Sequence, residues 1–104
     1  MILYNVTVNI DPQIQEDWLN WIRSEHIPEV LGTGCFKDAK LSRINAEEEG
    51  GFTYSIMYFA ISKDAYDNYQ RDFAPEMQRK HTERYLGKFA AFRTVLDVIE
   101  VFEA

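Results

Sequence analysis

The segment ILYNVTVNIDP, from Ile2 to Pro12, decides the fold. Ile2, Tyr4, Val6, Val8 and Ile10 are apolar at every second position while Asn5, Thr7 and Asn9 fall between them, the period of a strand with one face buried. Asp11 can then accept from free backbone N–H groups, and Pro12 tolerates the first helical position, so the strand is expected to pass directly into a helix.

Working outward, Ile14, Trp18, Trp21, Ile22 and then Ile27 or Val30 supply the apolar stripe of that helix. Pro28 is expected to bend it or to begin its last turn, and the pair Gly32 and Gly34 to end it. CFKDAKLSRIN, residues 35–45, reads as a charged second strand, defended against pairing with other chains as an exposed edge is. AEEEGG is expected to make an acidic turn, and FTYSIMYFAI, residues 52–61, is dense enough in aromatic and β-branched residues to be central. Ser62 can cap a second helix through Ala65, Tyr66, Tyr69 and Phe73. Pro75 should break it, with a continuation from about Pro75 to Leu86 and a stop at Gly87. The last strand is expected at RTVLDVIEVF, residues 93–102, with Leu96, Val98 and Phe102 on one face and Val95, Ile99 and Val101 on the other.

The order βαββαβ predicts an α+β ferredoxin-like sandwich, a four-stranded antiparallel sheet with both helices on one face. The opposite face carries Leu3, Met57 and Phe59 or their neighbours, with Ile99 and Val101, among Asn5, Thr7 and Ser55. That is too apolar to leave in water. A second copy of the chain is the expected partner, through this face and with strand four or the tail from Val101 to Ala104 reaching across; Val95, Ile99 and Val101 are the interface candidates.

At 104 residues the chain fits one domain spanning 1–104, and 46% hydrophobic with 27% charged residues is a globular balance. A net charge of −6, with acids spread along the chain, disfavours nucleic acid, which needs a concentrated basic surface. Five cations do gather in RKHTERYLGKFAAFR, residues 79–93, most simply as a solvated helix face and otherwise as a small anion site. No apolar run approaches a membrane span and the start lacks a signal-peptide pattern, so the expected location is cytoplasmic. The single cysteine, Cys35, reads as a buried spectator in a reducing compartment.

WLNWIRSEHIPEVLGTGCF (residues 18–36), followed by YDNYQRDFAPEMQRKHTERYLGKFAAFRTVLDVIEVF (residues 66–102), resembles the dimeric α/β-barrel superfamily, and most closely an uncharacterised bacterial family within it. The likeness covers nearly the whole chain. It implies two ferredoxin-like protomers stacked sheet against sheet into a barrel, and a helix ending in a histidine-containing turn, here Glu25, His26 and Pro28. The superfamily includes cofactor-independent monooxygenases, small-molecule isomerases, haem-degrading enzymes and proteins without known activity, so the resemblance implies a fold more than a reaction.

His26 is the candidate catalytic residue, since imidazole is the side chain best matched to proton transfer near neutral pH. Its structural alternative is a cationic cap on the last helical turn, paired with Glu29. The pocket candidates around it are Tyr4, Trp21, Glu25, Phe36 and Tyr58, between the first helix and the sheet. Trp18 and Trp21 read as core. His81, late in the second helix, is expected near Trp18 and Tyr54 and far from His26, which leaves no converging metal ligands. No phosphate loop, nucleophile elbow or cysteine cluster is present, so no cofactor and no metal is called for. The expected function is binding of a small apolar or weakly anionic metabolite. The alternative is a cofactor-independent monooxygenase or isomerase-like enzyme using a histidine and a tyrosine.

Overall fold

The structure is a computed structural model that describes residues 1–45 and 50–104. Most of the expected acidic turn, Ala46 to Glu49, lies outside the described residues. The chain runs β1 (Ile2–Ile10), a 3₁₀ turn (Pro12–Ile14), α1 (Gln15–Trp21), a π turn (Ile22–His26), α2 (Ile27–Leu31), β2 (Phe36–Arg43), β3 (Phe52–Ala60), α3 (Lys63–Asp72), α4 (Ala74–Arg84) and β4 (Phe89–Asp97). The sheet order is β2-β3-β1-β4 with every neighbouring pair antiparallel. This is the ferredoxin-like α+β sandwich, with β2 at one edge and β3 central as expected.

The alternation in β1 does what its period dictates. Ile2, Tyr4, Val8 and Ile10 are buried under the helices. Asp11 caps the 3₁₀ turn by accepting from the Gln13 N–H at 2.8 Å. Under the helices a cluster of rings fills one end of the core: Phe36 lies 5.2 Å from Tyr58 and 4.8 Å from Tyr69, centroid to centroid. At the other end Trp18 packs 5.0 Å from Tyr54. Cys35 is buried and unpaired.

The first helical segment is continuous from 15 to 31 but changes pitch. Pro28 has no N–H to give to the carbonyl four residues back, and the wider turn before it is closed by the Ile27 N–H to the Ile22 carbonyl, five residues back. Five-residue spacing brings Trp21 directly over His26, and the two rings stack at 4.8 Å. Gly34, at φ 79°, makes the exit toward β2, a backbone region that favours glycine. Ser62 caps α3 by accepting from the Ala65 N–H at 3.0 Å, and the chain breaks at Phe73 before Pro75.

Two expectations are corrected here. The last strand is Phe89–Asp97, four residues earlier than the pattern of apolar residues suggested. Pairing governs its place: Ile10 faces Phe89 and Ile2 faces Asp97, so β4 ends where β1 begins. Beyond it the Val98 N–H still reaches the Met1 carbonyl, at 2.9 Å, and Ile99, Val101 and Phe102 are exposed outside any strand. The faces shift accordingly. Val95, opposite Tyr4, is on the helix side of the sheet, whereas Phe92 and Leu96, opposite Thr7 and Leu3, are on the open side. Phe92 is 63% exposed there. The centre of that open face is a polar ladder, with Ser55 Oγ donating to Asn5 Oδ1 at 2.5 Å and Asn9 Nδ2 to Thr53 Oγ1 at 3.0 Å.

Candidate functional site

Between the helices and the sheet lies a partly enclosed cavity of about 40 Å³. Its floor is sheet: Tyr4, Val6 and Val8 from β1, Ile56 and Tyr58 from β3, Ala91 and Arg93 from β4. Its walls are Ile22 and His26 on one side and Tyr69, Met77, Gln78 and His81 on the other. The volume is a few times the ~10–15 Å³ that one water needs.

His26 and His81 meet in this wall, against expectation: their ring centroids are 5.9 Å apart, edge to face. His81 does lie beside Trp18, as predicted, but its ring also meets Trp21, and the π turn stacks His26 on that same indole. The Trp18 indole Nε1 donates to His81 Nε2 at 2.8 Å, so this nitrogen is an acceptor and the proton of the neutral ring is on Nδ1. Phe89 closes the other flank of His81, ring to ring at 4.3 Å.

Burial holds both imidazoles neutral. The pKa of His26 is lowered to about 4, by desolvation first and by Lys80 and Arg93 besides, with Glu29 opposing. That of His81 is lowered to about 4 by desolvation, then by His26 and Arg93. His26 therefore is not a cationic helix cap. It sits five residues before the helical segment ends at Leu31, and Glu29 is paired instead with Lys80 at 2.7 Å. Two buried side-chain nitrogens among the described residues lack a hydrogen-bond partner, His26 Nδ1 and Gln70 Nε2, and of these residues only His26 lines the cavity. Burial also raises the phenols of Tyr58 and Tyr69, so both remain protonated donors.

His26 has a second exposure. It also lines an open cleft of about 470 Å³ on the outer side of the helices, with Trp21, Glu25, Glu29, Arg79, Lys80, Glu83 and Arg84. The cations there are neutralised: Arg79 by Glu76 and Glu83, Lys80 by Glu29, and Arg84 more loosely by Asp17 at 3.9 Å. His26, backed by Trp21, is thus the partition between an inner cavity and an outer cleft.

Of the pocket candidates read from sequence, Tyr4, His26 and Tyr58 line the cavity, Trp21 and Glu25 line the outer cleft, and Phe36 stands behind Tyr4 and Tyr58 in the ring cluster. His81, Tyr69, Met77, Gln78 and Arg93 join them without having been expected. Arg93 did carry a signal, because it falls in the alternation Phe89, Ala91, Arg93, Val95 at a place where the helix-facing side of a strand calls for an apolar residue. Among the described residues no three of His, Cys, Asp and Glu come together as metal ligands would. Nor is any helix there long and apolar enough to cross a membrane.

The architecture is that of the dimeric ferredoxin-like proteins. A dimeric ferredoxin-like protein from an uncultured marine organism superimposes with a TM-score of 0.74 at 15% identity, each chain covered in full. HapK from Hahella chejuensis does so at 0.73 and 8% identity, over 100% of this chain and 98% of that one. A Bacillus cereus protein provisionally named an antibiotic-biosynthesis monooxygenase gives 0.68 at 13%, over 99% and 97%. Identities this low carry the fold alone. Residues 1–99 match the family described as a domain of unknown function, DUF4286, and the chain belongs to that family. No curated protein matches the sequence.

Proposed function

We propose that residues 1–104 act as one folded unit, a homodimer that binds a small apolar or weakly anionic metabolite at the cavity bordered by His26. The observation that carries this reading is the neutral, largely buried imidazole of His26, with Nδ1 unpartnered beside the cavity. A buried polar atom left without a partner costs about 1–3 kcal/mol, and a ligand that supplies the partner recovers that cost on binding. The π turn under His26 adds to it, because such turns recur at functional sites. A cavity of about 40 Å³ holds only part of a metabolite, since ligand pockets run to roughly 300–1,000 Å³. His26 lines both this cavity and the outer cleft of about 470 Å³.

The dimer is supported by Phe92 and Leu96 on the open face, by Ile99, which is 98% exposed, and by the dimeric descriptions of ferredoxin-like relatives. A buried, unpaired Cys35 fits a reducing cytoplasm.

A second reading is a cofactor-independent monooxygenase or isomerase-like enzyme. It is favoured by a neutral imidazole at His26, able to accept a proton, on a cavity also lined by Tyr58 and Tyr69, whose phenols burial holds protonated. The low basicity of His26 fits hydrogen bonding better than proton abstraction, which places binding ahead of catalysis.

Filling the cavity tests the reading. Ala91→Leu should leave the fold and the dimer intact, yet abolish the enrichment of any metabolite from an extract in equilibrium dialysis. Equal enrichment by the variant would remove the cavity from the account.

A further inference from the structure

We propose that Arg93 is the anion anchor of this cavity and that its ligand is a short-chain monocarboxylate, an inference that rests on the pocket reading above. Arg93 is directly opposite Val6 on the helix-facing side of the sheet, where its strand neighbours Ala91 and Val95 are apolar. A guanidinium set into that row needs a reason. The other cations nearby have one, since Arg79, Lys80 and Arg84 are each paired with a carboxylate. Arg93 has neither an ion pair nor a hydrogen bond among the described residues. It is also the one charged side chain among the described residues that line the cavity.

The surroundings fix the ligand class. Arg93 acts electrostatically on His26, His81 and Tyr69, so its charge is felt at the polar groups of both walls. Among the described residues no carboxylate lines the cavity, both histidines are neutral, and the remaining polar groups are phenols and the Gln78 amide. One cation with neutral hydrogen-bonding groups suits one negative charge, and a guanidinium fork matches a carboxylate in two parallel hydrogen bonds. Arg93 is exposed, which puts the charge at the mouth. Behind it Val8, Ile22, Ile56 and Met77 offer only apolar surface in about 40 Å³, room for a few carbon atoms and no second ionic group.

The test uses butyrate and its neutral isostere butyramide as probes, titrated into the isotopically labelled full chain and followed by NMR at His26 and Ala91. Butyrate should bind at least about ten-fold more tightly than butyramide, and Arg93→Gln should erase that preference while leaving butyramide affinity within about two-fold. Arg93→Lys, which keeps the charge, should retain a preference and covers the case in which the glutamine variant folds poorly. Equal affinity for the two probes in the unmodified protein would overturn the carboxylate assignment, and a butyrate preference untouched by Arg93→Gln would overturn Arg93 as the anchor; either result would leave the pocket reading standing. Failure of both probes to move either residue would overturn the pocket reading along with it.

Discussion

The indole Nε1 of Trp18 donates to Nε2 of His81 across 2.8 Å, 63 positions apart in sequence, and so ties α1 to α4. His81 is 9% exposed at this point. Protonating it would put a second proton on a nitrogen already receiving one, in a place where burial disfavours charge and His26 is the adjoining ring. The pair is therefore set to remain neutral across the physiological range.

Acid should unfold the protein earlier than its carboxylates alone would. Both histidines titrate near 4 when folded and near their ordinary value of 6.5 when unfolded. Between those limits the unfolded chain binds more protons, so stability is fully present above pH 6.5 and falls as pH drops toward 4. The slope is at most about 1.4 kcal/mol per pH unit for each histidine. Urea midpoints at pH 7 and pH 5 check this. Equal midpoints would mean that the histidines are not buried neutral, and His26→Phe should flatten the dependence by about half.

Trp18→Phe removes the donor to His81 and leaves a buried acceptor with nothing to accept. The lost hydrogen bond is worth about 1–3 kcal/mol, and the smaller ring leaves a gap against Tyr54 besides. A total loss of about 2–4 kcal/mol is expected in chemical denaturation. A loss below about 0.5 kcal/mol would show that the hydrogen bond does not hold the two helices.

Light scattering at micromolar concentration should give twice the chain mass, and Phe92→Asp should return it to one. Phe92 lies on the open face opposite Thr7, so a carboxylate there would be buried without a partner in a face-to-face dimer. Ile99→Lys should weaken the dimer less, because Ile99 lies past the end of β4. A monomer in the unmodified protein would refute the assembly.

The fold was legible because its signals are local. The alternation Ile2 to Ile10, the caps at Asp11 and Ser62, and the charge along Lys37, Asp38, Lys40 and Arg43 each state one element without reference to the rest. The site was half legible. Tyr4, His26 and Tyr58 follow from the first βα unit and its neighbour, whereas His81 and Arg93 depend on where α4 packs and where β4 starts. Neither follows from local pattern: apolar residues continue from Val95 to Phe102, and it is pairing with β1 that ends the strand at Asp97. The π turn escaped for a related reason, since Pro28 announces a disturbance in the helix but not that Trp21 and His26 become stacked by it.

Native mass spectrometry of the protein purified from its own host tests the central claim most directly, comparing the unmodified chain with His26→Ala. A cavity that binds through His26 predicts a dimer carrying a retained small molecule in the unmodified protein, and the same folded dimer without it in the variant, at a thermal stability lowered by loss of the ring stacked on Trp21 and of the ligand. An unmodified dimer with no added mass, or a variant that retains the same molecule to the same extent, would contradict the account.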